Sequence, residues 1–284
     1  MHTTLITAEA LQVLLNSRQP PLIFDCSFDL TDPAAGRALF EDKHLPGARH
    51  ADLNLDLSAH NAEPGEGRHP LPSRKQFADW LGAAGLTTEH QVVVYDRLGA
   101  HFCGRLWWML KWVGHEAVAV LDGGLPAWLA EGGSTEKGPS VESIKETDYP
   151  LRDPLVNSIG TATLTQRIGD PKLTIIDARA AARFRGDVEP LDPVAGHIPG
   201  ALNRPFSDNL MPDGRFKPAE TLRAEFNALL AGRDAQGVVH QCGSGVSAIP
   251  NLLAMELAGL GRTTLYPGSW SAWCNTPGTS RARS

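Results

Sequence analysis

Short apolar runs that stop at a polar residue punctuate the chain: Leu22-Ile23-Phe24 before Asp25, Val92-Val93-Val94-Tyr95 before Asp96, Thr174-Ile175-Ile176 before Asp177, and Val238-Val239-His240-Gln241 before Cys242. Runs this short and rich in β-branched residues, bounded by turn signals, read as buried strands. Between them lie stretches with helical spacing. Ala10, Leu11 and Leu14 share one face of residues 7–16, with Thr7 placed as the N-cap. Phe77, Trp80 and Leu81 do the same in 74–84, and Trp107, Trp108 and Trp112 are spaced to face a core in 104–113. A strand is expected at 117–121, and residues 34–73 read as irregular and turn-rich. After Cys242, residues Ile249, Leu252, Leu253, Leu257 and Leu260 fall near one face of a helix in 248–260. Alternation of this kind predicts an α/β fold, a mostly parallel sheet with helices on both faces. Ligands of such sheets sit beyond the carboxyl ends of the strands, where Asp96 and Cys242 both lie.

The pattern occurs twice. Leu22–Cys26 answers Thr174–Ala178, and His44-Leu45-Pro46-Gly47-Ala48 answers His197-Ile198-Pro199-Gly200-Ala201. The strand before Asp96 answers the one before Cys242, and Leu121–Trp128 answers Leu265–Trp273. Landmarks in one order at offsets of 152, 153, 146 and 144 residues describe a duplicated domain. The expected organisation is a first domain over 1–134, a non-helical linker over 135–154 containing Gly138-Pro139 and Tyr149-Pro150, and a second domain over 155–284.

Composition narrows the function. The 284 residues are 42% hydrophobic and 20% charged, as in globular proteins, and the net charge of −6 argues against nucleic acid as the main partner. The start, Met1–Glu9, has neither a basic stretch nor an apolar one, so no secretory signal is expected. No apolar run approaches the roughly 18 residues of a membrane span. Cys26, Cys103, Cys242 and Cys274 are scattered, matching neither a disulfide framework nor a zinc pattern, so a reducing cytoplasm is expected, with no metal or cofactor.

The candidate chemistry sits at Cys242-Gly243-Ser244-Gly245-Val246-Ser247. A lone cysteine at a strand end is ordinarily a small buried hydrophobe. Here a glycine-containing loop leads into a helix, which aims backbone N–H groups and the positive end of a helix dipole at one point. A cysteine there should be partly thiolate at neutral pH. The other three cysteines read as inert. His44 and His197 belong to turns and read as structural, and Trp270 and Trp273 as packing aromatics.

With these motifs together, the chain resembles the tandem-domain rhodanese family, the thiosulfate and 3-mercaptopyruvate sulfurtransferases, over essentially its whole length. The resemblance implies a silent first domain, with Asp96 at the position of Cys242, and a second domain whose cysteine carries sulfur as a persulfide. Cys242–Val246 is similar to the Cys-Gly-Ser-Gly-Val loop of mercaptopyruvate enzymes, while thiosulfate enzymes carry two cations after the cysteine. The catalytic residues implied are Cys242 and Ser244. Arg183, in the Asp177–Arg183 signature, is implied as the substrate cation, with Gly243, Gly245, Val246, Ser247 and His69 also at the substrate. The position of the acid that the family pairs with this histidine falls on Asp52 or on Asn54, an amide. Arg179 reads as structural. Mercaptopyruvate enzymes resemble Glu-Pro-Arg next, where this chain has Glu189-Pro190-Leu191; Arg185 is the nearby arginine that could supply the missing charge.

The acceptor implied is a thiol or cyanide, with a thioredoxin-like protein among the candidates, and the chain is expected to act as a monomer without nucleic acid or membrane. Two other readings stay open. Cysteine phosphatases of this fold need an arginine six residues after the cysteine, where this chain has Ala248. A carrier module would hand the sulfur to a partner protein.

Overall fold

The apolar runs become the middle of two sheets. The computed structural model describes residues 1–60, 65–139 and 145–284. In the first half the strands are β1 (Leu5–Ile6), β2 (Leu22–Asp25), β3 (Arg49–His50), β4 (Val92–Tyr95) and β5 (Val118–Leu121), hydrogen-bonded in the order β1-β5-β4-β2-β3. In the second half β6 (Asn157–Ser158), β7 (Thr174–Asp177), β8 (Leu202–Asn203), β9 (Val238–Gln241) and β10 (Thr264–Leu265) take the equivalent order β6-β10-β9-β7-β8. Among the described residues every strand pairing is parallel. The chain is thus an α/β protein with two five-stranded parallel sheets, as its periodicity predicts. The register is duplicated too: Leu22 pairs with Val92 as Thr174 pairs with Val238.

Helices α1 (Ala8–Leu15), α2 (Ala35–Asp42), α3 (Arg74–Ala83), α4 (Cys103–Trp112) and α5 (Gly124–Ala130) belong to the first half; α6 (Thr161–Arg167), α7 (Ala181–Arg185), α8 (Ala219–Leu230), α9 (Ile249–Leu257) and α10 (Ser269–Asn275) belong to the second. Thr7 caps α1 through its hydroxyl, which accepts from the Ala10 N–H at 3.2 Å. Ser73 and Gln76 close a reciprocal capping box on α3. The irregular reading of 34–73 needs correction, because α2 and β3 form inside it. Only Gly36 and Phe40 of α2 are buried, it has no side-chain cap, and β3 is two residues long. Neither gives a periodic signal that a sequence can carry.

The core of the second sheet gathers Ile175, Val239, Tyr266, Trp270 and Trp273, each at most 3% exposed. Burying each large apolar side chain contributes roughly 1.5–3 kcal/mol. Trp107 and Trp108 are buried and Trp112 is half-buried, stacked on Trp108. The turn histidines are duplicated structural parts. His44 donates from Nδ1 to the Phe40 carbonyl at 2.7 Å and stacks on that ring; His197 does the same with Phe184 at 2.8 Å.

The chain divides into two compact units, and each takes in a piece of the other half of the sequence. Unit 1 holds Met1–His60, Pro72–Leu155 and Pro212–Phe216. Unit 2 holds Val156–Met211 and Lys217–Ser284 together with residues 65–71. Residues 140–144 of the expected linker lie outside the described residues. Residues 145–155 form no helix and run along unit 1, with the Thr147 N–H donating to the Gly82 carbonyl and the Tyr149 hydroxyl hydrogen-bonded to His115.

Candidate active site

In unit 2 the central strand β9 stops at Gln241 and Cys242 follows at its carboxyl end. The turn between β10 and α10 clasps the cysteine backbone. Cys242 N–H donates to Ser269 Oγ at 3.1 Å, and Cys242 C=O accepts from the Trp270 N–H at 3.0 Å. Ser269 pays for this with a left-handed φ of 52°, a conformation that non-glycine residues avoid by about 1–2 kcal/mol. Its hydroxyl also donates to the Tyr266 carbonyl at 2.9 Å, which fixes it. Gly243 C=O accepts from the Ser271 N–H. Gly245 has φ 75°, and a Cβ there would stand 2.1 Å from the Pro267 carbonyl oxygen, so only glycine fits. Val246 is buried and Ser247 is half-buried at the turn into α9. Ala248, where a phosphatase would need its arginine, is completely buried.

The duplicated loop in unit 1 reveals what this geometry does. Between β4 and α4 the loop has the same length as that between β9 and α9, with Asp96 in place of Cys242. The Asp96 carboxylate accepts four backbone N–H bonds: from Leu98 and Ala100 on Oδ1 at 2.8 and 3.2 Å, and from Phe102 and Cys103 on Oδ2 at 2.8 and 2.9 Å. In unit 1 the loop thus wraps an anion at its first residue; Gly99 and Gly245 share a left-handed φ at equivalent positions, whereas Ala100 has φ 67° and its counterpart Val246 does not. By register, Ser244, Val246 and Ala248 correspond to Leu98, Ala100 and Phe102.

Residues 65–71 fold into unit 2 and bring His69 to the loop, where Nδ1 is hydrogen-bonded to Ser244 Oγ at 2.8 Å with both groups buried. The structure thus brings His69 to Ser244, two residues along the loop from Cys242, although 175 residues separate His69 from Ser244. Asp52, weighed as a partner for His69, accepts from the N–H groups of Asn54 and Leu55 in its own turn.

Three arginines and three carboxylates border the loop. Arg179 is gripped by Asp177, with Nη2 to Oδ2 at 2.7 Å, and reaches Glu189 at 3.3 Å while lying over the Trp270 ring. Burial opposes its charge, but Asp177 and Glu189 outweigh that and raise its pKa. The structural reading of Arg179 fits this pairing. Arg183 Nη2 meets Glu189 Oε1 at 2.6 Å and Asp192 Oδ2 at 3.4 Å. Arg68 Nη1 meets Asp192 Oδ1 at 2.8 Å. A methyl group on Gly243 would lie 3.3 Å from Arg68 Nη2 and 3.4 Å from Arg183 Nη1. Arg185 does not supply the charge absent at Leu191; it is exposed and paired with Asp187. Sequence reasoning missed Arg68, Asp192 and Ser269. Arg68 had one visible signal, its place beside His69.

The other thiols have different surroundings. Cys26 and Cys103 are pushed well above the ordinary thiol range by burial, and further by Asp25 and Asp96. Cys274 is pushed up to about 11, again mainly by burial. All four cysteines are free.

The profile of the family described as "Rhodanese-like domain" matches residues 7–131 and 161–276. The chain is 47% identical over 274 residues to a "Probable 3-mercaptopyruvate sulfurtransferase" of Pseudomonas aeruginosa, covering 96% of this chain and 95% of the relative. It is 32% identical over 253 residues to a thiosulfate sulfurtransferase of Gallus gallus, covering 88% and 85%. Among solved structures it resembles the 3-mercaptopyruvate sulfotransferase SseA of Escherichia coli, with TM-score 0.78 and 29% identity over 95% of this chain and 100% of that one.

Proposed function

The chain belongs to the rhodanese family and is a sulfurtransferase of the 3-mercaptopyruvate or thiosulfate type, and from that premise we propose that its donor is 3-mercaptopyruvate and that Cys242 carries the sulfur. The Cys242 thiolate attacks the donor sulfur, an S–S bond forms and the C–S bond breaks. The C–S electron pair passes to the methylene carbon as the enolate of pyruvate. One proton, the one carried by the donor thiol, ends on that carbon, leaving pyruvate and an anionic Cys242 persulfide. The second step passes the outer sulfur to a thiol or cyanide and regenerates the thiolate. A small thiol or a thioredoxin-like protein would serve as the thiol acceptor.

The observation that carries this reading is the 2.8 Å contact between His69 Nδ1 and Ser244 Oγ, two residues along the loop from Cys242. Cleaving mercaptopyruvate requires a proton to be moved to carbon, whereas sulfite leaves thiosulfate as a stable anion and needs none. A buried histidine–serine pair beside the nucleophile is useful only to the first reaction. The neutral Gly243 and Ser244 after the cysteine support the same choice, as does the name of the 47% identical relative. The amides of Ser244, Val246 and Ala248 would hold the anionic sulfur, as their counterparts hold Asp96.

The test is kcat/KM for 3-mercaptopyruvate and thiosulfate, with intact mass after donor alone. Mercaptopyruvate should be favoured, Cys242 should gain one sulfur atom, and His69→Ala should depress turnover of mercaptopyruvate by about 100-fold with a smaller effect on thiosulfate. An equal effect on both donors would remove the proton-transfer role. No sulfur on Cys242 would remove the whole reading.

A further inference from the structure

We propose that unit 2 carries an internal hydration site next to the nucleophile: a water molecule bound between the Gln241 side-chain amide and the Ile198 N–H, on the face of β9 opposite His240. The inference uses residues of unit 2 alone and does not depend on which donor the enzyme takes.

The two copies of the fold, compared bond by bond, lead to it. In unit 1 Tyr95 lies opposite Asp25 in the sheet register, and its hydroxyl accepts from the Leu45 N–H at 3.0 Å. Leu45 belongs to His44-Leu45-Pro46-Gly47 and is completely buried, so its N–H needs a partner inside the fold. In unit 2 the register sets Gln241 opposite Asp177, and the repeated motif sets Ile198 where the first copy has Leu45, again completely buried. The bonds around this place are duplicated. Cys26 N–H donates to the Tyr95 carbonyl as Ala178 N–H donates to that of Gln241, and Ala48 N–H donates to Leu45 as Ala201 N–H donates to Ile198. The bond at the centre is not. Ile198 N–H has no partner among the described residues, and neither has Gln241 Oε1 or Nε2, although Gln241 is completely buried.

The orphaned groups face the same side. Strand alternation puts Gln241 on the face of Val239, and Val239 packs in one core cluster with Ile198. A glutamine side chain is shorter than a tyrosine, and here it makes no direct bond to the amide that Tyr95 reaches in the other copy. Buried donors and acceptors left unpaired are costly, and native interiors satisfy them with protein groups or with water. The chemistry of the place selects water. It both accepts and donates, so it can take the Ile198 proton and engage either end of the glutamine amide. A charged ligand is disfavoured by complete burial, and the nearest carboxylate in the register, Asp177, is already held by Arg179 at 2.7 Å. The bound water would tie the His197–Gly200 turn to the strand that ends in Cys242.

The experiment joins a crystal structure of the full-length parent, at a resolution that shows buried waters, with denaturant unfolding of Gln241→Met and Gln241→Tyr. The parent should show a water within about 3.2 Å of both Ile198 N and the Gln241 amide. Methionine keeps the length of the side chain and removes both polar atoms. With the water in place it breaks the bridge and strands the Ile198 N–H, so the unfolding equilibrium constant should rise about tenfold. Without a water it would merely remove unsatisfied polar atoms, and the same constant should fall. The sign of the change decides. Tyrosine transplants the arrangement of unit 1: its hydroxyl should take the Ile198 N–H and displace the water, with the unfolding constant within about threefold of the parent. A parent structure with no water between the two groups overturns the proposal. So does a methionine variant as stable as the parent or more so, or a tyrosine variant whose structure keeps the water.

Discussion

At the scale of single residues, Gly243 is the position where space and charge meet. Its φ is not left-handed, so alanine is compatible with the backbone, and the new methyl would face the two guanidinium edges at 3.3 and 3.4 Å. Gly243→Ala should leave the unfolding free energy within about 1 kcal/mol of the parent while raising KM for the donor several-fold. Denaturant unfolding together with kinetics checks this, and an unchanged KM would place the donor elsewhere. Cys242 was marked in the sequence by its strand–loop–helix setting, and Ser244 and Arg183 were singled out by the resemblance of their motifs. Arg68, Asp192 and Ser269 were not, because their positions depend on contacts closed over long stretches of chain. Ser269 in particular carries no local sign of its left-handed backbone; that backbone exists because Cys242 N–H and the Tyr266 carbonyl share its hydroxyl.

At the scale of elements, β9 carries an acid-sensitive group. His240 is fully buried, with Nε2 3.2 Å from Met255 Sδ and Nδ1 without a partner among the described residues, and burial, with Arg204 adding, pushes its pKa down to about 3. The unfolded chain binds this proton near the ordinary histidine value of about 6.5 and the folded chain does not. Stability is therefore intact above about 6.5 and is lost as pH falls below it, by up to about 1.4 kcal/mol per pH unit until the folded value is reached. His240→Leu should flatten the fall in denaturation free energy between about pH 6 and 4; an equal slope in both proteins would assign the acid sensitivity to other groups. The strands β2, β4, β5, β7 and β9 were readable because short apolar runs rich in β-branched residues and bounded by turn signals suit strands buried on both faces. Edge strands of two residues and the weakly buried α2 escaped for the opposite reason, since neither has enough buried surface to leave a pattern.

At the scale of the whole molecule, duplication yields two sheets but one candidate nucleophile. Asp96 already fills the first loop with a carboxylate, and Cys26, Cys103 and Cys274 are thiols held up by burial. Saturating donor should therefore add one sulfur per chain, read by intact mass before and after Cys242→Ser; a second sulfur retained by that variant would point to a further reactive thiol. The repeat made the two-sheet architecture legible, but no periodicity could reveal that residues 65–71 and 212–216 each join the unit built from the opposite half. In that borrowing His69 and Arg68 were carried to the cysteine loop. The ancestral gene copies thus behave less like beads on a string than like two books bound with a page of each in the other. An engineer who severs them at the obvious seam would lift out the cysteine loop with His69 and Arg68 left behind.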